Sequence, residues 1–96
     1  MNIDIKAVHF NLEDAPREYL SRKIGRIHNA EGMIVDMLFT LSKAREFSAE
    51  ATVNFRWGVS IHVEETDFEL NTAIDKMMDK LEAKVNKEKE KTQEKR

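Results

Sequence analysis

The chain has 96 residues, of which 41% are hydrophobic and 35% are charged, and its formal net charge is -2. A chain of this length encloses one hydrophobic core, and this composition is too apolar for a disordered segment and too charged for a membrane protein. The absence of cysteine excludes disulfide bonds and thiolate metal sites. No apolar run is long enough to span a membrane and no export signal is visible, so we expect a cytoplasmic protein.

The first half of the chain predicts a strand, a helix and a second strand. Residues 2–6 alternate between apolar and polar side chains, which is the period of a half-buried strand. From Asp14 the period becomes helical for about 14 residues, so the helix is expected to include Ile27. Residues 35–42 alternate again, and this pattern places Val35 on the apolar side of the strand.

The second half predicts two more strands and a long amphipathic helix. Residues 48–55 and 59–64 alternate, and Gly58 in the short link between them suits the positive φ of a tight hairpin. Thr66 and Glu69 have the spacing of a capping box, so the helix is expected to begin near residue 67. Its apolar positions are Leu70, Ala73, Ile74, Met77, Met78, Leu81 and Val85. The polar sequence beyond Val85 is compatible with either helix or a frayed tail.

These elements, in the order β-α-β-β-β-α, predict an α+β fold in two layers. The first two strands are joined by a helix, and such pairs are expected to be parallel. Each strand has one apolar face, so we expect both helices to cover the same face of a four-stranded sheet.

No catalytic or metal site is predicted. His9, His28 and His62 fall in a loop, at a helix end and on the polar face of a strand, and no two of them have ligand spacing. The acidic stretch 64–69 is better explained as a turn with a helix cap than as a weak cation site. We therefore expect no enzyme activity, no cofactor and no small-molecule substrate.

The last helix has a basic edge. At about 100° per residue, four of the lysines that follow Lys76 lie within about 80° of it, whereas Asp75 and Asp79 lie on the opposite edge of the apolar stripe. The basic positions of this edge are Lys76, Lys80, Lys84, Lys87 and Lys91. Although the net charge of the chain is negative, such a line of ammonium groups suits a row of phosphates.

The first helix has a smaller basic strip beside its apolar stripe, formed by Arg22, Lys23 and Arg26. If the two helices lie side by side, the two basic strips could face each other across a groove. Arg56 and Trp57 in the hairpin add a candidate phosphate contact and a stacking side chain, and Lys43 and Arg45 add further phosphate contacts.

Three other interpretations stay open. Pattern alone favours an ordinary solvated helix face, in which lysine methylenes cover the edge of the core. The two-helix arrangement is also typical of a general double-stranded RNA-binding module, although the acidic start of the last helix argues against this function. The polar face of the sheet could instead serve a protein–protein regulator.

Four segments carry a resemblance to a known family, and they are LSK (41–43), FSAEATVN (47–54), GV (58–59) and TAIDKMMDKLEAKVNK (72–87). At these positions the chain resembles the ribosome hibernation-promoting factors, also known as ribosome-associated inhibitor A or sigma-factor modulation proteins. The resemblance runs over residues 1–91, which we assign to one domain, and leaves residues 92–96 as a charged C-terminal tail. It implies the fold derived above and a short-form member of the family.

The resemblance also implies a function. A member of this family would bind the small ribosomal subunit and its ribosomal RNA in the channel for messenger and transfer RNA, and would inhibit translation under stress or in stationary phase. The positions that match RNA-contacting residues of the family are Lys23, Arg26, Lys80, Lys87 and Lys91. Ala83 departs from the family, which often has arginine there, as do Asn71 and Ala30, where aromatic residues are common. The full set of predicted RNA-binding residues is Arg22, Lys23, Arg26, Lys76, Lys80, Lys84, Lys87 and Lys91.

Overall fold

A computed structural model describes residues 2–94, and it describes their side chains except those of residues 28, 29, 31 and 92–94. The side chain of His28, the side chains of the predicted tail and the whole of residues 95–96 therefore lie outside the described residues. The elements are β1 (Asn2–Val8), α1 (Asp14–Ile24), a 3-10 helix (Gly25–Met33), β2 (Ile34–Lys43), β3 (Phe47–Phe55), β4 (Ser60–Asp67) and α2 (Leu70–Glu94). This order confirms the predicted α+β fold.

The four strands form one sheet in the order β1-β2-β3-β4. As predicted, β1 pairs with β2 in parallel, and the other two pairs are antiparallel. One face of the sheet packs against both helices, and a single core joins Leu20 of α1, Phe39 of β2 and Leu81 of α2. The other face is not covered by either α-helix. It can face water because polar residues occupy most of the alternate positions of the strands.

The first helix is shorter than predicted, and a 3-10 helix follows it. Arg26 and Ile27 lie on this 3-10 helix, so their assignment to α1 is wrong. Gly25 weakens the α-helical preference at the point of change. In a 3-10 helix, residues three apart share a face, and Ile27 and Ala30 are accordingly both buried.

The start of β2 also differs from its alternation pattern. The register between β2 and β3 shifts between Ile34 and Asp36. This irregularity places Ile34 in the core and leaves Val35 47% exposed, so the predicted inward position of Val35 is wrong.

The predicted capping box does not form at the start of α2. Thr66 pairs with Ser48 inside β4, and the strand continues to Asp67, so Thr66 belongs to the sheet and lies four residues before the first residue of the helix. Glu69 takes the capping position, because its carbonyl accepts the amide of Ala73 at 3.0 Å. The carboxylate of Asp67 accepts the amide of Glu69 at 3.0 Å. The helix therefore begins at Leu70 and not near residue 67.

Candidate nucleic-acid interface

The basic edge of α2, defined as Lys76, Lys80, Lys84, Lys87 and Lys91, lies along β4. The ammonium group of Lys76 donates to the carbonyl oxygen of Thr66 at 2.9 Å, and that of Lys84 donates to the carbonyl oxygen of His62 at 3.4 Å. These two bonds are two turns of helix apart, so they fix the rotation of α2 about its axis. The basic edge consequently follows the outer strand of the sheet.

The opposite edge of α2 faces α1. Asp75 accepts a hydrogen bond from the hydroxyl of Tyr19 at 2.5 Å, and the ammonium nitrogen of Lys23 lies 3.0 Å from the same carboxylate. The predicted groove between two facing basic strips is therefore wrong. Because Asp75 belongs to the acidic edge, a negative side chain lies where α1 meets α2, and the basic edge is turned away.

Basic residues from the end of α1 and from the start of the 3-10 helix lie around Tyr19 and Asp75. The guanidinium carbon of Arg22 lies 5.9 Å from the centre of the Tyr19 ring, and the ammonium of Lys23 lies 5.3 Å from it. Hydrogen bonds from Tyr19 and Lys23 lower the pKa of Asp75, and the charge of Arg26 contributes to this shift. The hydrogen bond to Asp75 raises the pKa of Lys23, which stays a cation. Arg22, Lys23 and Arg26 thus form one basic cluster.

The first two lysines of the basic edge are neutralised by carboxylates of β4. Lys80 pairs with Glu65, and Lys76 lies 3.3 Å from Asp67. The hydrogen bond from Lys80 lowers the pKa of Glu65. The bond from the Glu69 amide is the main cause of the lowered pKa of Asp67, and Lys76 adds to it.

These partner carboxylates were missed in the sequence, although a signal was present. Glu65 follows Ile61 and Val63 at strand spacing, so it must point to the helix side of β4. In the sheet it stands opposite the buried Ala49. A glutamate at such a position needs a cation above it, and α2 supplies Lys80.

The far end of the basic edge has a different environment. Lys84, Lys87 and Lys91 line a depression of about 220 Å³ together with Ile61 and Glu88. Among the residues that the structure describes, Lys87 and Lys91 make no ion pair. This end therefore carries most of the uncompensated positive charge of α2.

Trp57 lies beside this depression. Its indole nitrogen donates to a carboxylate oxygen of Glu88 at 3.0 Å, and its ring stacks on Phe55 with 5.1 Å between ring centres. The residue remains 40% exposed. The hairpin that presents Trp57 closes as predicted, since Gly58 has a φ of 87° and donates its amide to the carbonyl of Phe55 at 3.1 Å.

The side chains of three other candidates have neighbours outside both basic groups. His62, on the uncovered sheet face, contacts Glu50 at 3.2 Å and Thr52 at 3.0 Å. The ammonium of Lys43 lies 4.8 Å from the centre of the Phe47 ring. Arg45 lines a separate depression beside Phe68. Among the side chains that the structure describes, no three histidine or acidic residues are grouped as metal ligands.

Neither α1 nor α2 combines enough length with an apolar run, and none of the helical segments in residues 2–94 qualifies as a membrane span.

Residues 3–93 match the sequence model of a family described as "Sigma 54 modulation protein / S30EA ribosomal protein". The chain belongs to this family. The family predicted from the four sequence segments is thereby confirmed.

Two solved structures are similar to the chain over nearly its full length. The N-terminal domain of Protein Y from Thermus thermophilus is 32% identical, with a TM-score of 0.80 over 91% of this chain and 98% of that one. A ribosomal subunit interface protein from Coxiella burnetii is 22% identical, with a TM-score of 0.84 over 93% and 98% of the two chains, and it supports the fold alone. The comparison with curated proteins gives no significant match.

Proposed function

We propose that this protein binds the small ribosomal subunit through its ribosomal RNA, occupies the channel for messenger and transfer RNA, and inhibits translation in the cytoplasm under stress or in stationary phase. The description of its family, which matches residues 3–93, includes a ribosomal protein. The proposed function requires no catalytic step, because the protein would inhibit translation by occupying the channel.

The observation that carries the proposal is the position of the basic edge. In a chain of net charge -2, five lysines lie along one side of α2, and the contacts of Lys76 and Lys84 with β4 hold that side in place. A fixed row of ammonium groups meets the phosphates of an RNA strand with less loss of side-chain freedom than scattered lysines would. The opposite, acidic edge is covered in part by α1 and does not oppose binding along β4.

The eight predicted residues divide into two groups by their present partners. Lys23, Lys76 and Lys80 are paired with carboxylates, so each would have to exchange that partner for a phosphate. The members without a carboxylate partner in the described part of the chain are Arg22, Arg26, Lys84, Lys87 and Lys91. We therefore assign the primary phosphate contacts to these five and secondary contacts to the other three.

Co-sedimentation of the purified protein with bacterial small subunits tests the proposal. About five phosphate contacts make log K fall by about 0.7 to 0.9 per contact for each log unit of salt. Raising the salt from about 50 mM to about 200 mM should therefore weaken binding by about 100- to 500-fold. Equal recovery at both salt concentrations, or no recovery at the lower one, would contradict the proposal.

Charge reversal assigns the contacts. Lys87→Glu and Lys91→Glu should each weaken binding and reduce the salt slope by at least about 0.7. Lys6→Glu is the matched control, because it changes the net charge equally from the uncovered face of the sheet, where Lys6 is exposed and stands opposite Thr40. If all three variants lose the same affinity, the loss reflects net charge alone, and the basic edge is an ordinary solvated face.

Translation inhibition needs a separate measurement. In a cell-free translation reaction, the wild-type protein should reduce synthesis in proportion to its occupancy of small subunits, and Lys87→Glu should restore synthesis. Binding without inhibition would place the protein outside the channel. Equal affinity for a free RNA duplex would favour the general double-stranded RNA-binding module instead.

A further inference from the structure

Trp57 and the far end of the basic edge form an arrangement that phosphate binding alone does not need. The indole nitrogen of Trp57 donates to Glu88 at 3.0 Å, and Glu88 lines the same depression as Lys87 and Lys91. The hydrogen bond holds an aromatic ring of the β3–β4 hairpin next to a pocket on α2. Trp57 and Glu88, which are 31 residues apart in the chain, thereby bring the hairpin and α2 together at one site.

The indole ring of Trp57 has at most one face left for stacking, because Phe55 occupies the other. Phe55 covers one face of the indole, with 26° between the ring planes, while 40% of Trp57 stays exposed. Phe55 itself is buried in the core, so it supports the indole from below. An indole whose first face is held by another ring can stack a nucleobase on its second face, since every base has a flat face.

The neighbouring charges suit the phosphate of the same nucleotide. Lys84 is held by the carbonyl of His62, and Lys87 and Lys91 make no ion pair among the described residues, so three ammonium groups face one carboxylate, that of Glu88. Glu88 is already occupied by the indole N–H, which weakens its repulsion of an anion. The pocket is therefore positive beside an aromatic surface.

We propose that Trp57, Lys87 and Lys91 bind one unpaired RNA nucleotide, with its base stacked on the indole and its phosphate between the two lysines. Stacking requires a base that is free of its neighbours, so the site selects single-stranded or bulged RNA over a regular duplex. This inference deepens the proposed function and rests on it for the biological partner. The chemistry of the site can nevertheless be tested with short RNA alone.

The single tryptophan of the chain provides a direct measurement. Titration of the full chain with a single-stranded RNA hexamer should quench the fluorescence of Trp57 to saturation. Inorganic tripolyphosphate should compete for the lysines without quenching, because it has no base. Binding of the hexamer without quenching, or equal quenching by tripolyphosphate, would overturn the inference.

Substitutions separate the ring from the charges. Trp57→Leu keeps an apolar cover over Phe55 but removes the flat face, and it should weaken hexamer binding by about 5- to 100-fold. Trp57→Phe should restore most of the affinity in a competition assay, although it lacks the N–H that bonds to Glu88. The matched control is Phe68→Ala, which removes a 74% exposed aromatic ring before the other end of α2 and should leave binding unchanged. Wild-type affinity in Trp57→Leu would refute the stacking role.

The same variants distinguish this inference from the proposed function. If Trp57→Leu co-sediments with small subunits as well as the wild-type protein does, the nucleotide site is wrong and the ribosomal function stands. If the wild-type protein does not co-sediment at low salt, the ribosomal function is wrong, and the quenching experiment still decides whether the site binds a nucleotide.

Discussion

The ammonium nitrogen of Lys23 on α1 lies 3.0 Å from a carboxylate oxygen of Asp75 on α2. The same carboxylate accepts the hydroxyl proton of Tyr19, so one acidic residue holds two residues of the neighbouring helix. Asp75 therefore has a structural role on the acidic edge, and it orders a basic cluster that would otherwise consist of mobile side chains.

Asp75 makes stability depend on pH. The bonds from Tyr19 and Lys23 lower its pKa below the usual 3.8 in the folded protein, so its stabilising contribution is complete above that value and is lost as the pH falls through the lower, folded pKa. In Asp75→Asn, the free energy of unfolding at pH 7 should be smaller, and it should fall less between about pH 5 and pH 2. Urea unfolding followed by circular dichroism measures both effects.

The control for this prediction is Asp79→Asn, one turn further along the same helix. Asp79 is exposed and has no side-chain hydrogen bond or ion pair among the described residues, so its variant should follow the wild-type pH profile. The pH dependence has the opposite direction for Lys23, whose pKa is raised above the usual 10.5 in the folded protein. Its contribution to stability is complete below pH 10.5 and is lost as the pH rises through the folded pKa. Parallel curves for Asp75→Asn and the wild type would contradict this role.

Glu65→Gln should strengthen binding to small subunits. The substitution removes the carboxylate that neutralises Lys80 and leaves an isosteric amide on the helix side of β4. One more free ammonium group should steepen the salt slope by about 0.7 to 0.9. Glu64→Gln is the matched control, since Glu64 lies on the uncovered face and bonds to Ser48. Equal gains in both variants would indicate an effect of net charge alone.

Ala83→Arg should also strengthen binding. Ala83 is exposed and lies about 20° from Lys76 around α2, so an arginine there would extend the basic edge. Arginine and alanine are both good helix formers, and the free energy of unfolding should change by less than about 0.5 kcal/mol. Asn86→Arg adds the same charge on the acidic edge and should give the smaller gain in affinity. A larger gain from Asn86→Arg would place the RNA on the other side of α2.

Two glycines should respond in opposite ways to alanine. Gly58 has a φ of 87°, so Gly58→Ala should lower the free energy of unfolding by about 1 to 2 kcal/mol. Gly25 has a φ of -57°, and an added methyl group would meet no atom within 4 Å. Gly25→Ala should therefore raise the free energy of unfolding by about 0.4 to 1 kcal/mol. Urea unfolding of both variants checks the pair, and effects of the same sign would contradict the turn geometry.

The order and pairing of the elements were predictable because they depend on local periodicity. Alternation in residues 48–55 and 59–64 predicts two strands, and Gly58 between them predicts the hairpin that β3 and β4 form. The helical spacing from Leu70 to Val85 likewise predicts α2. Each of these signals lies within a few residues of the structure it determines.

The errors concern properties that depend on distant residues. The exposure of Val35 follows from a register shift against β3, and no alternation within β2 can reveal it. The placement of Asp75 depends on Tyr19, which is 56 residues away. Helical angles correctly separated the basic edge from the acidic edge, but they could not tell which edge α1 would contact. Tertiary packing determines which edge contacts α1. Because the acidic edge does so, the basic edge lies along β4 and the predicted groove does not form.

The length of α2 has a consequence for its local stability. Val85 is the last buried side chain among those described on this helix, yet the helix continues to Glu94. Without apolar support, a short helical stretch opens at little cost in free energy. Amide hydrogens of residues 86–91 should therefore exchange with solvent faster than those of residues 73–85. RNA bound to Lys87 and Lys91 would stabilise the helical conformation of residues 86–91. We therefore expect RNA binding to slow the exchange of these amide hydrogens.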